Sequence, residues 1–178
     1  MSSKKAYYRS KNELKIKNIA LCGILLALSA GISAAESMLP LPLGVKPGFS
    51  NLPIMFSMTK QDGKYGFAVC ILRSVFVLFT RGFTAFLMSL TGGVLSYIAM
   101  LFLYRKTDAS LMLLSVCGAL IHNLGQLVMA SFLMNTAIFG YFPILLISGC
   151  IAGCATGIAL KFLSDALDKT VPKEKTYD

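Results

Sequence analysis

The chain has 178 residues, 56% of them hydrophobic and only 14% charged, with a mean hydropathy of +0.70. A soluble domain carries about a quarter charged residues, so an ordinary soluble enzyme, a disordered tail and a fibrous protein are all excluded. The net charge of +9 lies mostly in tails and short loops without interleaved aromatics, which fits orientation in a bilayer rather than nucleic-acid binding.

Residues 1–17 form a basic tail with Lys4, Lys5, Arg9, Lys11, Lys15 and Lys17. Apolar span one covers residues 18–35. The stretch from Leu39 to Gly48 follows, and its three prolines and two glycines exclude a regular helix. The apolar piece at 49–58 would rise only about 15 Å as a helix, half of a hydrocarbon core. It is expected to be a half-helix. Broken backbone survives at membrane depth only where it lines a cavity or is buried in protein, which makes this region a candidate site. Spans three to six are expected at 65–79, 83–104, 111–133 and 141–163, and residues 164–178 form a charged tail. The expected fold is an all-α integral membrane protein, a six-transmembrane-helix bundle over 18–163 with a short or broken second helix.

With both tails, Lys161 at the end of span six, the Lys60–Lys64 loop and the Arg105–Lys106 loop on one side, only Lys46, Arg73 and Arg81 remain elsewhere. The positive-inside rule then makes both termini cytoplasmic in a multi-pass cell-membrane protein. A basic start, an apolar stretch and Ser33-Ala34-Ala35 also fit a signal peptide. Against that, Gly23, Ala27, Gly31 and Ala35 fall at i+4 spacing, a small-residue stripe that suits close approach of another helix and a retained span.

The five cysteines (Cys22, Cys70, Cys117, Cys150 and Cys154) lie in apolar segments without a CxxC, and there is one His. No metal site, disulfide framework or cofactor ligand set is expected from them. No phosphate-binding loop or nucleophile elbow appears, and no catalytic constellation can be assembled.

Ionisable groups at membrane depth are costly and usually face a partner or a cavity. Glu36 ends span one, Lys46 and Asn51 follow in and after the Pro-rich stretch, Arg73 lies midway along span three, and Arg81 falls in the turn after it. His122, Asn123 and Gln126 lie near the middle of span five. Small and polar residues share one face in each of four spans: Gly66, Cys70, Arg73 and Ser74; Ser89, Gly92, Gly93 and Ser96; Ser115, Gly118, Ala119, His122, Gly125 and Gln126; Gly149, Gly153 and Gly157. These faces are expected to turn inward. One reading pairs Arg73 with Glu36 structurally and gives His122 an interior hydrogen bond. The other takes the excess of Lys46, Arg73 and Arg81 toward the outer half as a receptor for an anionic ligand group.

The run Glu36-Ser37-Met38-Leu39-Pro40-Leu41-Pro42 with Gly44-Val45-Lys46-Pro47-Gly48-Phe49-Ser50-Asn51 resembles the Gx transporter family, also filed as heptaprenyl diphosphate synthase component I. Leu72-Arg73, the segment from Gly82-Phe83 to Thr91-Gly92-Gly93, and His122-Asn123-Leu124-Gly125-Gln126 continue the likeness over roughly residues 18–163. That family is similar to the substrate-binding S components of energy-coupling factor transporters. The resemblance implies six helices, an outward-open pocket, and a helix-one stripe, here Gly23, Ala27, Gly31 and Ala35, that meets a transmembrane partner and its ATPases. It also implies likeness to a membrane component of flavin-based extracellular electron transfer in Gram-positive bacteria. The synthase name meets a physical objection: prenyl diphosphate synthases hold diphosphate through magnesium on close aspartates, and Asp62, Asp108, Asp165, Asp168 and Asp178 form no such intramembrane pair.

Two functions are therefore expected to compete. One is a transporter or substrate-capture subunit for a small anionic ligand. The other is a non-catalytic accessory subunit beside a membrane redox or prenyltransferase partner.

Overall fold

The computed structural model of the chain describes residues 2–38, 48–61, 63–134, 140 and 142–170, with side chains described between residues 12 and 165. Six helices follow in order: α1 (Ser2–Glu36), α2 (Leu52–Lys60), α3 (Gly63–Arg81), α4 (Phe83–Lys106), α5 (Leu111–Met134) and α6 (Phe142–Thr170). A 3-10 turn, Phe49–Asn51, leads into α2. Among the described residues there is no strand. All helices except α2 are long and apolar enough to cross a membrane, five in number, as in a multi-pass membrane protein.

Three boundaries differ from the sequence expectation. Helix α1 starts at Ser2 rather than near residue 18, because no Gly or Pro interrupts the chain before Gly23. Helix α6 likewise runs past 163 to Thr170, with the next proline only at Pro172. Arg81 lies in the last turn of α3 instead of in a loop, and Gly82 separates α3 from α4 with a φ of 84°, a conformation that favours glycine. The stretch 39–47, Lys46 included, lies outside the described residues.

Nine residues long, α2 is the expected half-helix. Pro53 sits in its first turn, where a missing N–H costs nothing. Pro53 through Met58 are all buried, so its surroundings are protein rather than lipid. Ile54, Met55 and Met58 join Val69 of α3, Tyr97 and Met100 of α4, Leu114 of α5 and Leu160 of α6 in the main core.

Two hydrogen bonds set the depth of α2 against α1. At the basic end of the bundle the Gln61 side chain donates to the Asn18 carbonyl at 3.2 Å. Eleven residues further along α1, Ser29 Oγ donates to the Ser50 carbonyl at 2.7 Å. Eleven residues of helix rise about 16 Å, so the half-helix starts that far along α1 from its fastening at Asn18.

The longer helices approach through glycine. A methyl group on Gly92 of α4 would lie 2.7 Å from the His122 carbonyl of α5, and one on Gly153 of α6 would lie 2.6 Å from Val116 Cα. Polar side chains tie the same pairs. Ser96 Oγ donates to the Gly118 carbonyl at 2.8 Å, and Ser115 shares a hydrogen bond with Thr156. Because backbone cannot yield, Gly92→Ala and Gly153→Ala should each destabilise by about 1–3 kcal/mol. Gly118→Ala should cost less, since the atoms it meets belong to the flexible Met100 side chain. Unfolding of the three variants in one detergent checks the ranking.

Candidate functional site

The inward face of α3 carries Arg73, which is 1% exposed. Its Nη1 donates to Ser50 Oγ and to Asn51 Oδ1, both at 2.9 Å. At the end of α1, Glu36 is 4% exposed, and its Oε1 accepts the backbone N–H of Gly48 at 2.8 Å and of Phe49 at 2.5 Å. Gly48 has a φ of 101°, left-handed backbone that favours glycine. A left-handed residue followed by a right-handed turn directs successive N–H groups into one concavity, an anion-binding nest. Four successive residues, 48–51, are thus held by side chains from α1 and α3, with Ser29 as the third support.

Glu36 and Arg73 meet at the same turn. Among the described residues they form no ion pair; each binds the turn instead. In place of the direct pair that one reading of the sequence offers, the two share a grip on Gly48–Asn51.

Two adjacent glycines of α4 bring α3 and α5 to the same place. A methyl group on Gly93 would lie 3.0 Å from Cys70 Sγ and 3.4 Å from Arg73 Nη2, and one on Gly92 would lie 3.1 Å from His122 Nδ1. Arg73 and His122 therefore flank a single turn of α4. Gln126 packs its Cγ against Gly92, and His122 and Gln126 both have interaction partners. Asn123 turns the other way. Its Nδ2 donates to the Leu145 carbonyl of α6 at 3.0 Å, and it lines a cavity of about 10 Å³ with Leu120, Leu124, Phe142, Leu145 and Leu146, the size of one water site.

Glu36, Asn51 and Arg73 are thus brought together, with His122 and Gln126 beside them across α4. Arg81 is exposed at the end of α3, eight residues and about 12 Å along the helix from Arg73. Glu36 Oε2, Asn51 Nδ2, Arg73 Nε and Asn123 Oδ1 have no hydrogen-bond partner among the described residues. A buried unsatisfied polar group costs about 1–3 kcal/mol, so the cluster retains bonding capacity for a further molecule. No group of three or more His, Cys, Asp or Glu gathers into a metal-binding set among the described residues. Sequence reasoning passed over Ser50 and Ser29 as site residues; single serines carry no pattern until their depth is known.

Gly23, Ala27, Gly31 and Ala35 are all exposed, on the face of α1 opposite buried Leu25, Ser29 and Ser33. Nothing lies within 4 Å of a methyl group placed on Gly23 or Gly31. The bundle packs through glycines of α3 to α6 such as Gly66, Gly92, Gly125 and Gly153, and leaves this stripe exposed.

The profile of the family described as heptaprenyl diphosphate synthase component I matches residues 25–163. The chain belongs to that family. No curated protein and no solved structure matches it.

Asn51→Ala and Ser50→Ala each remove an acceptor from a buried guanidinium and should destabilise by about 1.5–3 kcal/mol. Arg81→Gln, on the exposed end of the helix, should stay within about 0.5 kcal/mol of the parent. Denaturant unfolding in mild detergent compares the three.

Proposed function

We propose that this member of the heptaprenyl diphosphate synthase component I family is a non-catalytic membrane subunit of transporter type that captures a small anionic ligand from the outer face. The observation that carries the reading is the start of the half-helix held beside buried Arg73, about 16 Å along α1 from the basic end. Half-helix N-termini present backbone N–H groups and positive dipole ends, and many transporters meet anionic substrate groups with them near the bilayer midplane. Arg73 supplies a full charge there. Asn51, His122 and Gln126 hydrogen-bond the polar remainder, while Glu36 holds the turn. The basic end is cytoplasmic by the positive-inside rule, so Glu36 and Arg81 stand toward the outside. With Arg73 at 1% exposure, the arrangement is the closed one.

The bare stripe on α1 supports a partner in the membrane. Gly23, Ala27, Gly31 and Ala35 let a second helix come close, as an energy-coupling subunit working with ATPases would. An accessory role beside a prenyl diphosphate synthase is the second reading, favoured by the family description. A cavity of about 820 Å³ between the start of α5 and the end of α6 supports it. Met112, Ile158 and Phe162 give apolar walls there, with Ser110, Lys161 and Asp165 at the rim, as an amphiphile requires.

Hydrogen bonds to a charged group are worth about 1.5–3 kcal/mol. Folded Arg73→Gln should therefore hold the co-purifying small molecule roughly ten- to a hundred-fold more weakly, as read by mass spectrometry after gentle purification. Undiminished retention would reject the ligand role of Arg73. Replacing Ala27 and Gly31 together by Leu should leave the melting temperature unchanged, since both positions are exposed, yet abolish co-purification of membrane partners. Recovery of ATPases with the parent favours the first reading, and recovery of a prenyltransferase or flavoprotein favours the second.

A further inference from the structure

The two backbone N–H groups of the nest point at a carboxylate, and that carboxylate belongs to the chain itself. Glu36 Oε1 takes both donors, at 2.8 and 2.5 Å, while Oε2 has no partner among the described residues. In the same closed cluster two donors also lack partners, Asn51 Nδ2 and Arg73 Nε, and the three residues are 4%, 7% and 1% exposed. Asn51 Nδ2 lies 3.6 Å from a methyl group placed on Gly48, beside the nest. A carboxylate free in space would use both oxygens on such donors, because each unmade buried hydrogen bond is costly. Glu36 is tethered to the last residue of α1 and satisfies only half of the set. It fits the nest as a substitute rather than as the best occupant.

We propose that the nest of Gly48 and Phe49 is a carboxylate-binding site, filled by Glu36 in the ligand-free protein and taken over by the carboxylate of an incoming ligand. The inference rests on the reading of this region as a ligand site and narrows it to a class of ligand. In the exchange, the ligand carboxylate accepts the Gly48 and Phe49 N–H groups through one oxygen and reaches Asn51 Nδ2 or Arg73 Nε through the other. Glu36 swings off the turn, and no covalent bond changes.

The test removes the internal anion and supplies an external one. Full-length Glu36→Ala in lipid nanodiscs is melted in formate, acetate, inorganic phosphate or chloride at equal ionic strength. Formate should raise its melting temperature saturably, by roughly 3–6 °C at a tenfold excess over its dissociation constant. The parent and Glu36→Gln, whose amide oxygen still fills the nest, should respond by less than about 1 °C. A folded Glu36→Ala with no formate response beyond that of chloride would overturn the site. So would an equal response in Glu36→Gln, or a phosphate effect exceeding that of formate. Should Glu36→Ala not fold in cells, cell-free synthesis into nanodiscs reads the same point as folded yield: recovery in formate alone supports the site, and equal loss in formate and chloride rejects it. Formate rescue with undiminished ligand retention in Arg73→Gln would uphold the nest and reject the transport reading. Loss of ligand in Arg73→Gln without rescue would do the reverse.

Discussion

A polypeptide that breaks its helix halfway through a bilayer must satisfy the freed peptide groups without water. Here the break falls at Gly48–Asn51, and the remedy comes from α1 and α3: Glu36 for two N–H groups, Ser29 for one carbonyl, and Arg73 for the two side chains that open the half-helix. Much else in the fold serves that remedy. The supporting side chains must arrive at one depth, which the Gln61 bond to Asn18 enforces from the basic end. Helix α2, too short to span, must be enclosed by the other helices, and its buried run from Pro53 to Met58 shows that it is.

Enclosure without bulk explains the glycines. Gly92 and Gly93 are consecutive, so they point about 100° apart on α4, one against α5 and the other against α3. A side chain on either would push His122 or Arg73 away from the half-helix. Where a stripe of small residues meets no neighbour, as on the outer face of α1, the same chemistry has no task inside the chain. The two kinds of stripe look alike in sequence and separate only by what lies opposite them.

How much could be read without coordinates follows from this. Apolar blocks and the segregation of charge define the spans, because insertion into lipid depends on composition more than on contacts. The half-helix was legible from its length and from the prolines before it. Arg73 stood out because a guanidinium at that depth demands an explanation. What stayed hidden depends on relative depth and rotation between helices. Ser29 and Ser50 are ordinary residues until the stretch of α1 from Asn18 to Ser29 is laid beside the stretch from Gln61 back to Ser50. Asn123 was grouped with His122 by proximity in sequence, yet adjacent helix positions diverge, and it serves α6. The opposite charges of Glu36 and Arg73 suggest a pair, whereas two peptide N–H groups take Glu36 and the Ser50 and Asn51 side chains take Arg73.

The fastening at the basic end has a mechanical consequence. Gln61 anchors α1 there, and Tyr97 of α4 anchors the start of α3 through the Gly63 carbonyl. The Gln61 bond would serve as a fulcrum, with α1 as the lever arm. From Asn18 to Glu36 that arm is about 27 Å long, so a tilt of about 5° carries the Glu36 end through about 2 Å, enough to part a hydrogen bond. Both amides at the tip would let go together while the fulcrum stays closed, and no helical turn would need to unwind.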